Sequence, residues 1–264
     1  MTDPDLSARA EFLRHLAIKA ADLARDGFAS RNAGTFDLKG PQDFLTETDI
    51  AVETLIRDAL SEAFPEDDIL GEEGGGTPTP QLWIIDPIDG TANFARGVPH
   101  FCVCIAFALD GAPVLGAIIQ PMTGEFWFAQ KGKGAEKDGA PIRVTSTESP
   151  DTACIEMGWS RRHPVEGYLA AQRHVITGGA NIRRGGSGAL ALAWVAEGRS
   201  DGYLEANMNC WDCLAGMLMI EEAGGHVRPF AGGLDGLANP APVRACTPAL
   251  TALLDEALAL GAAT

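Results

Sequence analysis

The run Trp83-Ile84-Ile85-Asp86-Pro87-Ile88-Asp89-Gly90-Thr91-Ala92-Asn93-Phe94 constrains the fold more than any other part of the chain. Leu82 to Ile85 reads as a short buried strand, because its residues are large or β-branched and uncharged. The strand ends in two carboxylates three residues apart, with Pro87 between them. Gly90 then permits a sharp turn, and Thr91 is placed to cap a following helix. Two negative charges delivered by a buried strand repel each other unless a cation lies between them. Hard divalent cations such as magnesium take carboxylate oxygens. The N–H groups of Gly90 and Thr91, at a helix start, attract an anion such as phosphate. Adjacent metal and phosphate sites point to phosphate chemistry. Taken alone, the motif favours an ordinary turn, since Asp, Pro and Gly are common there. The rest of the chain decides against that.

The 264 residues fit one large domain or two intimate halves, and at 46% hydrophobic they can bury a sizeable core. No apolar run approaches the roughly 18 residues of a membrane span, so no membrane partner is expected. Met1-Thr2-Asp3-Pro4-Asp5 lacks the basic-then-apolar order of a signal peptide, and a cytoplasmic protein is expected. The formal charge of −16 argues against non-specific nucleic-acid binding, which needs clustered Lys and Arg. It also means that any phosphate site must be made attractive locally, by metals or helix N-termini. The six cysteines are expected as reduced thiols. Cys210-Trp211-Asp212-Cys213 has C-x-x-C spacing, but it lacks a second such pair, so buried thiols at a helix start are the expected role.

Apolar spacing predicts an amphipathic helix over 5–29 and a second over 49–64, with a strand or hairpin between them at 36–48. A strand at 67–71 ends in Gly71-Glu72-Glu73, and Gly74 to Pro80 reads as a mobile loop. Strands follow at 101–109, 113–120 and 125–130, then a glycine-rich hairpin and loop at 131–143. Beyond this, strands at 153–157, 181–184, 200–205, 226–228 and 242–246 alternate with helices at 164–176, 188–197, 211–223 and 248–260. The change of character near 145–150 divides a 1–147 α+β half, with most candidate metal ligands, from a 148–264 α/β half. The second half carries Asp212 and the substrate-side residues.

Three further acidic sites share the setting of the first. Glu72 and Glu73 end a strand, while Asp49 and Asp212 stand at helix starts. An acid at a helix N-terminus has a bland role as cap and dipole partner. Together with Asp86 and Asp89, however, these acids supply oxygen ligands for two or three magnesium ions. At this point the chain resembles the inositol monophosphatase family of magnesium-dependent, lithium-sensitive phosphatases. The blocks that carry the resemblance are Asp43 to Asp49, Gly71-Glu72-Glu73, Trp83 to Phe94, Val114 to Ala117, Asn209 to Asp212 and Glu222 to Gly225.

The resemblance implies a layered α-β-α-β-α sandwich, a homodimer, and metal-dependent hydrolysis of a small phosphate monoester. It implies that Glu72 and the Ile88 carbonyl hold a first metal, that Asp86 bridges two metals, and that Asp89 and Asp212 hold the second on the leaving-group side. Gly90 and Thr91 would cradle the phosphate with backbone N–H groups. Asp49 would bond the Thr91 hydroxyl and help activate the attacking water. Glu73 is left without a role. Metals that neutralise a phosphate dianion make a covalent nucleophile unnecessary. Substrate choice would rest on Gly186 and Ser187 in the turn 185–188 and on Glu205, an acceptor for polyol hydroxyls. Myo-inositol 1-phosphate is the expected substrate. Histidinol phosphate, whose amine could pair with Glu205, is the alternative, and a regulatory binding protein is the alternative of another class. The chain departs from the family pattern at Ala92, where Thr is frequent, and at Gly188, where Ala is usual.

Overall fold

The computed structural model describes residues 6–31, 37–40 and 43–262. The expected 36–48 hairpin is present in its described part: β1 (Asp37–Gly40) and β2 (Asp43–Leu45) pair antiparallel, while residues 36, 41 and 42 lie outside the described residues. The hairpin separates α1 (Leu6–Ser30) from α2 (Glu47–Ala63). The second helix starts two residues before Asp49, because Thr46 is its N-cap and Asp49 closes a capping box at the third helical position.

A seven-stranded sheet follows in sequence order: β3 (Asp68–Gly71), β4 (Gln81–Asp89), β5 (Cys102–Leu109), β6 (Ala112–Ile119), β7 (Phe126–Gln130), β8 (Gly134–Lys137) and β9 (Ala140–Pro141). Only its β3–β4 pair is parallel. The short α3 (Thr91–Arg96) leaves the end of β4.

The second half builds a five-stranded mixed sheet in the order β11-β10-β12-β14-β13. Its strands are β10 (Cys154–Met157), β11 (Asn181–Arg183), β12 (Gly202–Met208), β13 (His226–Val227) and β14 (Ala241–Cys246). The helices are α4 (Val165–Thr177), α5 (Gly188–Glu197), α6 (Cys210–Glu222), α7 (Gly233–Gly236) and α8 (Thr251–Ala262).

Side-chain alternation along the strands creates the layers. Trp83 and Ile85 of β4, with Val103, Ile105 and Phe107 of β5, pack on Leu13, Leu16, Val52 and Ile56 of α1 and α2. Leu82, Ile84, Cys104 and Ala106 face the other way, onto Leu190, Leu192, Leu214 and Leu218 of α5 and α6. Those helices are apolar all round because Tyr203, Val243 and Ala245 of the second sheet cover their far side. Leu204 and Ile155 point beyond, to Val175, Leu254 and Leu258 of α4 and α8. The order is α-β-α-β-α, as the sequence resemblance implies. Gly116 lets α6 approach the sheet, since a Cβ there would lie 2.9 Å from the Ala215 carbonyl oxygen.

One irregularity positions the site. Asp86 pairs with Cys104 and Asp89 with Cys102, so β4 carries a bulge between them. In a regular strand, residues three apart face opposite sides. The bulge turns both carboxylates toward the α5–α6 layer, where the Cys102 thiol meets Asp89.

Candidate active site

The cleft lies where β4, the turn before α5, β12 and the start of α6 converge. Glu72, Asp86, Ile88, Asp89, Gly90, Thr91, Gly186, Ser187, Glu205 and Asp212 all line it. Glu72, Asp86 and Asp212 form its tightest group, with one carboxylate oxygen from each within 4.8 Å of the others. Each is delivered by the end of a regular element. Glu72 follows β3, Asp86 lies at the β4 bulge, and Asp212 closes a capping box with Asn209 at the start of α6.

Burial pushes the Asp86 carboxyl well above the usual carboxylate range, and the charges of Glu72, Asp89 and Asp212 push it further. Asp212 is raised in the same way, by burial and then by Glu72, Asp89 and Glu205. No cationic side chain pairs with Asp86, Asp89 or Asp212 among the described residues. Crowded all-oxygen donors, with Asp86 buried and Glu72 and Asp212 half-buried, suit a hard divalent cation, whose charge would offset both burial and mutual repulsion.

Asp89 stands apart from the tight group. Its Oδ2 accepts the Ser187 hydroxyl at 2.5 Å, the Ala189 N–H at 2.8 Å and the Cys102 thiol at 3.7 Å. Burial raises its carboxyl, and these donors hold it back. The Ser187 hydroxyl, read from the sequence as a substrate contact, is thus engaged with Asp89.

Thr91 is not the cap expected from the sequence. Gly90 is the N-cap of α3, at φ 101°, and Thr91 is the first helical residue. A side chain at Gly90 would also crowd the carbonyl oxygens of His100 and Gly186, at 3.1 and 3.3 Å. Freed from capping, the Thr91 hydroxyl lies 2.9 Å from the Ile88 carbonyl oxygen and 3.2 Å from Asp49 Oδ1. Asp49 is fully buried, and its Oδ2 takes the Thr46 N–H and hydroxyl at 2.8 and 2.5 Å. Burial carries its carboxyl up to about 6, against the Thr46 bonds, with Glu73 adding a like charge.

Glu205 lies on the opposite wall. Burial lifts its carboxyl to about 7, opposed by the Tyr203 hydroxyl and by the charges of Arg184 and Arg162. The Tyr203 hydroxyl donates to Glu205 Oε2 at 2.6 Å. The two acceptor oxygens expected for Glu205 are therefore not equivalent, since one already has a partner.

Several residues of the site were invisible to sequence reasoning. Glu53 accepts the N–H groups of Glu73 and Gly74 at 2.9 and 2.7 Å, and Arg57 bonds both Glu53 and the Gly75 carbonyl. Gly74 and Gly75, mobile by composition, are thus tied to α2, which fixes the strand end bearing Glu72. Asn93 donates to the carbonyls of His100 and Gly185 at 2.7 and 2.9 Å, joining α3 to the turn before α5. Asn93 stands in the central motif, which was its only signal. The C-x-x-C pair holds free thiols: Cys210 bonds the Leu237 carbonyl, Cys213 the Asn209 carbonyl, and burial pushes Cys210 up to about 12. Protonated thiols of this kind are poor nucleophiles and poor metal ligands.

Similarity to known proteins places the chain in a family. Residues 5–260 match the inositol monophosphatase family model. An inositol-1-monophosphatase of Rhizobium meliloti is 40% identical over 218 residues, covering 80% of this chain and 81% of the relative. The Nus factor SuhB of Escherichia coli K12 is 36% identical over 222 residues, covering 82% and 83%. Among solved structures, the extragenic suppressor protein suhB of Bartonella henselae superposes with a TM-score of 0.87 at 33% identity, covering 95% of this chain and 98% of that one. The chain belongs to the inositol monophosphatase family, and so to the phosphatases that hydrolyse small phosphate monoesters.

Proposed function

We propose that this phosphatase hydrolyses myo-inositol 1-phosphate with magnesium as its cation. The observation that carries the reading is the Glu72–Asp86–Asp212 cluster, set in one cleft beside the Gly90–Thr91 turn and facing Glu205. Glu72, Asp86 and the Ile88 carbonyl would hold one metal, and Asp89 and Asp212, with Asp86, would hold a second. These acids supply oxygen ligands for two or three ions. Magnesium bound there would offset the phosphate charge, acidify a coordinated water and stabilise the departing alkoxide.

The chain's own groups do the remaining work. The backbone N–H groups of Gly90 and Thr91 receive phosphate oxygens, because a helix start leaves them without intrahelical acceptors. Asp49, with its carboxyl at about 6, is mostly ionised at neutral pH and can polarise the Thr91 hydroxyl. The Thr91 oxygen then has a lone pair for a proton of the attacking water. No histidine lines the cleft among the described residues, and the Asp49–Thr91 pair is assigned as the base. On the leaving-group side, Glu205 receives a substrate hydroxyl, with Gly186 and Ser187 shaping the wall beside it.

Between a polyol and histidinol phosphate the proposal keeps the polyol, because a carboxylate at Glu205 accepts hydroxyl hydrogens; the charges near it are mixed, with Asp89 set against Arg184 and Arg162. We assign the protein to the cytoplasm as a homodimer on family grounds. The SuhB relatives, named Nus factors, favour a second reading, a regulatory role in transcription. An Asp89→Asn variant that is inactive yet complements a deletion strain would support it.

The decisive assay compares myo-inositol 1-phosphate, L-histidinol phosphate, fructose 1,6-bisphosphate and 3′-phosphoadenosine 5′-phosphate side by side with magnesium. The inositol ester is expected to lead. A preference for histidinol phosphate of about tenfold in kcat/KM, roughly 1.4 kcal/mol, would overturn the substrate assignment and leave the metal site standing.

A further inference from the structure

We infer that Tyr203 sets substrate selectivity as a positioning residue, by claiming one oxygen of Glu205 and presenting the other to a single substrate hydroxyl. The inference rests on Glu205 being the hydroxyl acceptor of the proposed phosphatase.

Tyr203 and Glu205 are alternate residues of β12, so their side chains leave the same face of the sheet. That face looks onto the cleft and the α5–α6 layer. Tyr203 is 2% exposed and its ring is locked in that core. Its hydroxyl therefore reaches Glu205 Oε2 from a fixed point, at 2.6 Å. A carboxylate held by one oxygen can no longer rotate freely, and Oε1 becomes the acceptor with a defined position.

Two glycines clear the space for this pair. A Cβ at Gly158 would lie 1.9 Å from Glu205 Oε2 and 2.4 Å from the Tyr203 hydroxyl. Gly158 sits there because its N–H continues the β10–β12 pairing onto the Leu204 carbonyl at 3.0 Å. On the other side, a Cβ at Gly188 would lie 3.0 Å from the same hydroxyl and 2.3 Å from Met208 Cε. The glycine at 188, where the family pattern has Ala, thus accompanies a wall built from Tyr203 and Met208. Gly158 has no left-handed backbone requirement, so its missing side chain serves clearance alone. A wall of this kind selects for one hydroxyl at one distance from the phosphate and so discriminates among positional isomers. It makes little difference to an ester that has no hydroxyl to offer.

The test is steady-state kinetics of Tyr203→Phe, Gly158→Ala and Glu205→Gln with magnesium, on myo-inositol 1-phosphate and on 4-nitrophenyl phosphate. Tyr203→Phe keeps the ring and removes only the hydroxyl. Its KM for the inositol ester is expected to rise about three- to tenfold, the worth of one hydrogen bond, while kcat and the aryl ester stay within about twofold. Gly158→Ala should give the same selective loss, because its methyl displaces the Glu205 carboxylate. Equal losses on both substrates, or none in either variant, would overturn the inference. Glu205→Gln separates the two levels. If it weakens the inositol ester selectively while Tyr203→Phe does not, the positioning role fails and the acceptor role survives. If Glu205→Gln is itself unselective, the reading of Glu205 fails first.

Discussion

Asp67 and Asp86 are both buried carboxylates, 8% and 1% exposed, in opposite surroundings. Asp67 receives both arms of the Arg9 guanidinium at 2.8 Å and the Trp83 indole N–H at 2.9 Å. Arg9 in turn lies over the rings of Phe64 and Phe107. Glu53 is similarly complete, with Arg57 and two backbone N–H groups. Asp86 takes the Ile88 N–H and Asp212 the Asn209 N–H, but the charged neighbours of both are each other, Glu72 and Asp89, all of them acids. The chain therefore distinguishes acids that finish the fold from acids that wait for a cation. In the first group, a partner offsets the cost of burying charge. In the second, that cost remains in the protein and becomes affinity for a metal.

The largest expected effect tests the second group. Asp212→Asn should lower kcat/KM by about a thousandfold or more, if Asp212 is the leaving-group-side ligand proposed above. Without divalent cation the variant should melt no lower than the parent, because it relieves repulsion with Glu72 and Asp89. Scanning calorimetry with and without magnesium measures both. A metal-free variant several degrees less stable than the parent would place Asp212 among the structural acids.

Arg9→Met tests the first group. The change keeps the packing over Phe64 but leaves Asp67 with the Trp83 N–H as its one remaining donor of those three. Breaking a buried pair from one side typically costs about 3–5 kcal/mol. Urea unfolding should register that loss, while the folded fraction keeps its kcat and its magnesium requirement. A changed magnesium requirement would mean that α1 reaches the site energetically and would dissolve the distinction.

The two groups differed in how far the sequence disclosed them. The acids of the cluster were legible as candidates because each ends a readable element. Asp86 follows an uncharged strand, Glu72 follows Gly71, and Asp212 opens a helix pattern. Layer order was legible from the change of period and from family resemblance. The supporting partners were not, because they join residues far apart in the chain. Ser187 reaches Asp89 across 98 positions and Asn93 reaches Gly185 across 92. Arg9 and Asp67 are 58 apart, and each reads by itself as a surface charge. Thr91 was misread as a cap for a local reason. The left-handed backbone at Gly90 took the N-cap position, and no pattern of residue types separates that from a Thr cap. The pairing of Tyr203 with Glu205 depends on glycines at 158 and 188, whose role exists only once the sheet and α5 are assembled.

The smallest expected effect is a linkage between pH and magnesium. Burial carries Asp49 from an ordinary 3.8 to about 6 and Glu205 from 4.5 to about 7, and it raises Asp86 and Asp212 as well. For an acid whose folded value lies above its unfolded one, the folded state binds more protons between the two. Its contribution to stability is complete below the unfolded value and is lost as pH rises through the folded one. Asp49 alone, moving from 3.8 to about 6, is worth on the order of 3 kcal/mol. Glu125, held down to about 2 by its bond from Arg199, has the opposite sign but titrates below this window. Metal-free protein should therefore lose stability from the site as pH rises from about 5 to about 8. Magnesium reverses the trend, because a cation binds ionised carboxylates and stabilises the folded state in proportion to their availability. The rise in Tm on adding magnesium should be a few degrees larger at about pH 8 than at about pH 5. Arg9→Met should keep that difference and Asp212→Asn should lose most of it. A magnesium shift of equal size at both pH values would mean that the acids of the cleft are not held protonated by burial. Asp86 and Asp212 would then belong with Asp67.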